Sequence, residues 1–263
     1  MWCCYRGEGF HGYQQQGELR TAQRELLQAF SKAGLTRKPV VAGRTDKGVS
    51  ARMQVLSARV DNDRTAQSLV PTLNALLPSD LRLHLARDVP DGFHAAWSSI
   101  SKEYRYTLTD PGDVALLHEA AALIPGTRNF KVFHFKTSQN KPRTVTSVEW
   151  LPDTSELRFK GEGFARYMVR MLVGGLMAVS HRELSLDVFR AGLEQQQNFY
   201  CATAPAEPLT LWEVGYPEAI DPFSLEDRRA FQWPDATLRP ATTTLVAGQV
   251  SEAPASSVSS TVP

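Results

Sequence analysis

Cysteine is scarce in this chain. Cys3, Cys4 and Cys201 are the only three in 263 residues, too few and too poorly spaced for a disulfide framework. Adjacent Cys3 and Cys4 on a strand would point to opposite faces, so they could not grip one metal ion from there. The six histidines form no His-x-x-His pattern, there is no Cys-x-x-Cys pair, and nothing in the sequence proposes a metal site. The cysteines read as small buried hydrophobes. Long apolar runs are missing too: none approaches the ~20 residues of a membrane helix. The opening Met1-Trp2-Cys3-Cys4-Tyr5-Arg6 lacks the basic, apolar and small-residue order of a signal peptide. No membrane association and a cytoplasmic location are therefore expected.

Hydrophobic residues make up 42% and charged residues 22%, the values of an ordinary globular protein with a substantial core. The net charge of +1 hides an asymmetry. Through Arg170 there are 24 Lys and Arg against 17 Asp and Glu; after it there are 5 against 11. A basic body with an acidic end suits a surface that meets an anion, nucleic acid among them. An unevenly solvated surface explains the same numbers, and charge alone does not choose.

Hydrophobic periodicity predicts a short strand near residues 2–5, a glycine-rich turn through Gly7, Gly9 and Gly12, and a helix over 21–33 stopped at Gly34. Residues 35–52 follow neither period, and a long unpatterned stretch between confident elements points to function. Strands are predicted over 53–60, 81–85 and 102–108, with a helix over 68–77 that holds Pro71 in its first turn. Asp110-Pro111-Gly112 marks a turn and a domain boundary. Beyond it come strands over 143–151, 156–160 and 209–214, and helices over 164–179 and 186–193. Strands and helices mix without a βαβ rhythm, so the expected class is α+β with a mainly antiparallel sheet. The expected domains are 1–109 and 110–216, with a tail over 217–263. From about 234 the composition is Ala, Ser, Thr, Pro and Val with almost no charge, which predicts disorder.

The unpatterned stretch contains Ala42-Gly43-Arg44-Thr45-Asp46-Lys47-Gly48-Val49-Ser50-Ala51. Arg44 and Lys47 flank Asp46, and nearby positive charge favours the ionised carboxylate. Gly43 and Gly48 let another backbone come close. An ionised carboxylate in a tight loop can act as nucleophile or base. A Thr-Asp-Lys-Gly turn in which the Asp merely bonds its own backbone is the plainer reading of the same residues.

Residues 43–51, Gly-Arg-Thr-Asp-Lys-Gly-Val-Ser-Ala, resemble the signature loop of the TruA family of tRNA pseudouridine synthases. Four further segments resemble family motifs, in family order: Gly9-Phe10-His11-Gly12-Tyr13-Gln14-Gln15-Gln16; Phe93-His94-Ala95 with Lys102, Tyr104, Arg105 and Tyr106; Gly163-Phe164 with Met168-Val169-Arg170; and Thr203-Ala204-Pro205-Ala206-Glu207-Pro208-Leu209. The resemblance spans roughly Cys4 to Tyr216. It implies two similar RNA-recognition-like (ferredoxin-like) domains around a basic cleft, a homodimer, tRNA as partner, and no metal or organic cofactor.

It also implies roles. Asp46 would be the nucleophile toward a uridine flipped from its stack. Tyr104 would stack on the base, although periodicity alone favours core packing beside Tyr106. Arg170 would hold the carboxylate, with Arg166 one helical turn earlier on the same face. Arg44 would contact the displaced nucleotide or a phosphate, and Leu209 would line the pocket. Lys47, Arg52, Lys131, Lys136, Lys141 and Arg143 are candidate phosphate contacts, which position RNA without reading its sequence. The chain departs from the family pattern at Tyr13, usually tryptophan, at Trp97, often phenylalanine, and at Lys47 and Ser50, where many bacterial members have alanine and histidine. These departures leave the modified position open. Two other readings use the same residues: a non-catalytic RNA-binding protein, and an Asp-dependent glycosidase, which would want a second carboxylate.

Overall fold

The computed structural model describes residues 1–60, 64–135, 141–196, 199 and 201–233; the expectation of a disordered tail from 234 lies outside them. Strand β1 (Trp2–Tyr5) is buried along its whole length. Helix α1 (Ala22–Lys32) starts where the Thr21 hydroxyl accepts the Arg24 N–H, the bond that satisfies an orphan donor of the first turn. Its Leu26, Ala29 and Phe30 enter the core. Then come β2 (Val40–Val41), β3 (Ser50–Ser57), α2 (Ala66–Asn74), β4 (Leu81–Leu85) and β5 (Ser101–Thr107). The remainder is α3 (Val114–Ala122), β6 (Gly126–Arg128), β7 (Arg143–Leu151), β8 (Glu156–Gly161), α4 (Met168–Ser180), α5 (Leu186–Leu193), β9 (Leu209–Gly215) and α6 (Leu225–Ala230).

The mixed α+β class holds, and the sheet is mainly antiparallel. Its strand order is β4-β1-β3-β9-β5-β8-β7-β6, with β2 paired to β3 off that path. One pair is parallel: β3 against β9, with Ser50 opposite Thr210 and Ala51 opposite Leu211. The last long strand is thus sewn between two early ones, since β9 also pairs antiparallel with β5, placing Tyr104 opposite Leu211. Helix α3 packs on α4 and β7, and α2 packs on β4. No helix among the described residues is long and apolar enough to cross a membrane.

Several boundaries differ from expectation. β3 begins at Ser50 rather than Met53 and ends at Ser57 rather than Val60. It is buried on both faces through Leu56, so no alternation marks its start; pairing with β9 sets it. α2 starts two residues earlier than expected, capped by the Thr65 hydroxyl. α3 was not anticipated: Val-Ala-Leu-Leu-His-Glu-Ala-Ala-Ala is apolar nearly all round and shows little face, and its start is fixed by Asp113 accepting the N–H groups of Ala115 and Leu116. α4 begins at Met168, not at residue 164, because Tyr167 is left-handed (φ 63°, ψ −2°).

Candidate active site

Residues 43–49 are held in place by the elements around them. The Gln54 side chain of β3 grips Gly43 from both sides, Nε2 donating to its carbonyl at 2.7 Å and Oε1 accepting its N–H at 3.4 Å. The Tyr5 hydroxyl of β1 and the Thr45 hydroxyl lie 2.8 Å apart in a buried hydrogen bond. Tyr13 N–H donates to the Thr45 carbonyl at 3.1 Å, and Gly48 N–H to the Phe10 carbonyl at 3.4 Å. That crossing needs Gly12, whose φ is +83° and where a Cβ would stand 2.9 Å from the Thr45 oxygen. Val49 N–H closes the turn on the Asp46 carbonyl at 3.1 Å. The Asp46 carboxylate turns away from this frame.

It points into a cavity of about 730 Å³. One wall is the loop itself, with Arg44, Thr45, Asp46, Lys47 and Val49. Another comes from the sheet, with Tyr104 of β5 and Leu209 of β9. The third is the segment from Phe164 through Arg170, which enters α4. Tyr104 is only 8% exposed, and the Phe164 ring meets it edge to face at 5.3 Å. Packing and cavity lining are therefore not alternatives for Tyr104; it does both. Burial, then the charges of Tyr5 and Asp46, push its hydroxyl above the ordinary phenol range.

Asp46 is half-buried, and burial raises its pKa above the ordinary carboxylate value. Arg170, then Arg166, then a hydrogen bond from the Tyr167 N–H work in the opposite direction without fully offsetting it. The sequence pointed to Arg44 and Lys47 as the charges acting on Asp46. Instead both are exposed on the cavity rim, where solvent screens them, and the effective cations come from across the cavity.

Those cations are themselves organised. Arg170 Nε donates to the Ala204 carbonyl at 2.7 Å, and its guanidinium lies 5.3 Å from the centre of the Tyr167 ring. Arg166 lies 4.9 Å from the same ring and donates to the Tyr167 hydroxyl at 3.2 Å. Arg166 sits in the turn before α4 rather than on the helix, yet it still reaches the site. Tyr167 is the residue that sequence reasoning missed. A bulky residue at positive φ is uncommon and costs strain, and here that backbone turns its N–H onto Asp46. Nothing in the letter Tyr announces such a conformation.

The other expected contacts separate. Arg44, Lys47, Arg166, Arg170 and Leu209 line the cavity with Asp46 and Tyr104. Arg143 is half-buried at the start of β7 and acts on Lys102, whose amine is lowered first by burial and then by that charge. Lys131 and Lys141 are exposed and away from the cavity, and Lys136 lies outside the described residues. Arg52 leaves the set of phosphate contacts. Its side chain is buried, with its residue 7% exposed; it donates to the Arg228 carbonyl at 2.6 Å and stacks at 4.8 Å on Trp212 and 4.7 Å on Phe231. Those donors are spent inside the protein.

A pinned loop that presents one carboxylate to a tyrosine and two guanidinium groups defines an acid-centred site with aromatic and cationic walls. The tRNA pseudouridine synthase family profile matches residues 120–217. Along most of its length the chain is similar to curated proteins named tRNA pseudouridine synthase A. The one from Bacillus subtilis (strain 168) is 36% identical over 237 residues, covering 81% of this chain and 96% of that protein. The one from Listeria monocytogenes serovar 1/2a is 32% identical over 238 residues, with the same coverage. That of Methanothrix thermoacetophila is 34% identical over 216 residues, covering 81% and 80%. The chain belongs to the TruA family of tRNA pseudouridine synthases and is a pseudouridine synthase, an isomerase.

Proposed function

We propose that this chain isomerises uridine to pseudouridine in tRNA, in the anticodon stem-loop, with Asp46 as nucleophile. The observation that carries this is the convergence of Asp46, Tyr104 and Arg170, from three separate parts of the chain, on one cavity. Its volume of about 730 Å³ suits one nucleotide flipped out of its stack. In the reaction the C1′–N1 bond of the nucleotide breaks and a C1′–C5 bond forms. N1 gains a proton and the C5 proton leaves. Asp46 holds the intermediate covalently, through the ribose C1′ or the uracil ring, while the base turns. Tyr104 stacks on that base, Arg170 and the Tyr167 N–H hold the carboxylate in place, and Arg44, Lys47 and Arg166 meet phosphates at the rim.

The same reading takes residues 1–109 and 110–216 as two similar RNA-recognition-like units, a homodimer as the working assembly and the cytoplasm as its location. It needs no second carboxylate. Among the described residues Asp46 is the one acid lining the cavity, which counts against a glycosidase.

The test is tRNA transcripts carrying tritium at uridine C5, given to the protein and to its Asp46→Ala variant. Release by the wild type, with a loss on the order of 10⁴-fold or more in the variant, supports the reaction. Release by both proteins would overturn the nucleophile, and free uracil as product would make the enzyme a hydrolase.

A further inference from the structure

One aromatic side chain sits where burial does not explain it. Trp97 is 86% exposed, although an indole is among the largest apolar surfaces a chain can hide. Its neighbourhood is not loose. Ala95 is fully buried; its N–H donates to the Ser57 hydroxyl at 3.1 Å and its carbonyl accepts the Tyr216 hydroxyl at 2.7 Å. His94 Nδ1 accepts the N–H of Trp97 at 3.1 Å and of Ala96 at 3.3 Å. His94 N–H in turn donates to the Ser98 hydroxyl at 3.1 Å. The indole lies flat on the imidazole, with ring centres 4.0 Å apart and planes 9° from parallel. One face of the indole is thus covered by His94 and the other is open, on a turn anchored at both ends.

A cationic path joins this turn to the cavity. Lys102 lies two residues from Tyr104 on the same face of β5, about 7 Å along the strand. Its Nζ donates to the Ser99 hydroxyl at 3.3 Å, and Ser99 donates to the Ala96 carbonyl next to Trp97. On the other side the Lys102 stem runs against Gly43, adjacent to Arg44 on the cavity rim. Arg143 adds a second positive charge beside Lys102.

We infer that Trp97 is a stacking platform for a base of the bound RNA that flanks the nucleotide in the Asp46 cavity, with Lys102 and Arg143 beneath the connecting phosphates. The site rests on the proposed tRNA substrate and extends it. An open indole accepts any base, because every base has a π face, and the cations along the path match a polyanion. A second copy of this chain would instead meet the patch through apolar contact with Trp97 and Ile100, which is 54% exposed. The basic path between patch and cavity favours the nucleic acid.

The experiment measures binding of unmodified tRNA transcripts to the full chain in the Asp46→Ala background, where turnover does not interfere. Trp97→Ala is expected to weaken binding on the order of tenfold, within the range one stacked base contributes, and Trp97→Phe to retain most of the affinity. Both variants should melt at the parent temperature, since the side chain is exposed. Unchanged affinity in Trp97→Ala overturns the platform. Unchanged affinity with a shift of oligomeric state on size-exclusion chromatography replaces it with a contact between copies. Failure of the parent protein to bind tRNA overturns both the platform and the substrate. Binding without tritium release from the wild type overturns the reaction alone.

Discussion

Withdrawing a carboxylate from water disfavours its charged form, and at Asp46 that penalty exceeds what Arg170, Arg166 and the Tyr167 N–H return. A nucleophilic carboxylate works only when ionised. Activity should therefore fall on the acid side at a pH above the ordinary carboxylate range, measured as the lower limb of kcat/KM against pH. Removing Arg170 takes away the largest opposing charge, so Arg170→Met should move that limb to still higher pH and lower kcat/KM on the order of 10²-fold. Arg166→Met, removing the second of the two charges, should move it less. A limb that stays put in Arg170→Met would mean the guanidinium does not act on Asp46.

α4 delivers Arg170 to the cavity, and its position depends on a close approach further along the helix. A Cβ on Gly174 would stand 1.9 Å from the Ala202 carbonyl oxygen. The segment it would displace contains Ala204, whose carbonyl accepts the Arg170 Nε–H. Gly174→Ala should cost about 1–3 kcal/mol of stability, read as a lower denaturation midpoint, and should reduce activity more than stability alone explains. Where elements carried their own signal, the sequence showed them: α1 and α5 from 3.6-residue spacing, β4 and β5 from alternation, the loop that bears Asp46 from its lack of either. What stayed hidden was set by contact at a distance. The first residues of β3 are paired by β9, α3 shows little amphipathic contrast, and Tyr167 takes a left-handed backbone that its residue type does not signal. Asp46, Tyr104 and Arg170 came from a motif. That Arg170, and not the adjacent Arg44 and Lys47, is the main charge on Asp46 depends on depth, which spacing does not encode.

Across the whole molecule, the distribution of cations matters more than the net charge of +1. Arg44 stands exposed at the cavity rim, while Arg52, eight residues on, is enclosed by Trp2, Trp212 and Phe231. The two should behave oppositely. Arg44→Ala should lower tRNA affinity and reduce the slope of log affinity against log salt by about 0.7–0.9, leaving the melting temperature unchanged. Arg52→Ala should leave that slope intact and lower stability by about 1–3 kcal/mol through lost hydrogen bonds and ring contacts. Equal slopes in both variants would remove Arg44 from the phosphate contacts.

The insertion of β9 between β3 and β5 bears on how the protein is made. A chain still on the ribosome with fewer than about 209 residues emerged leaves the β9-facing edges of β3 and β5 without a partner, and has no Leu209 to line the cavity. A chain of that length carries an unfinished cavity and unpaired strand edges of the kind that favour association. The late strand must thread into its slot before the cavity is complete, and such non-local pairing is slow.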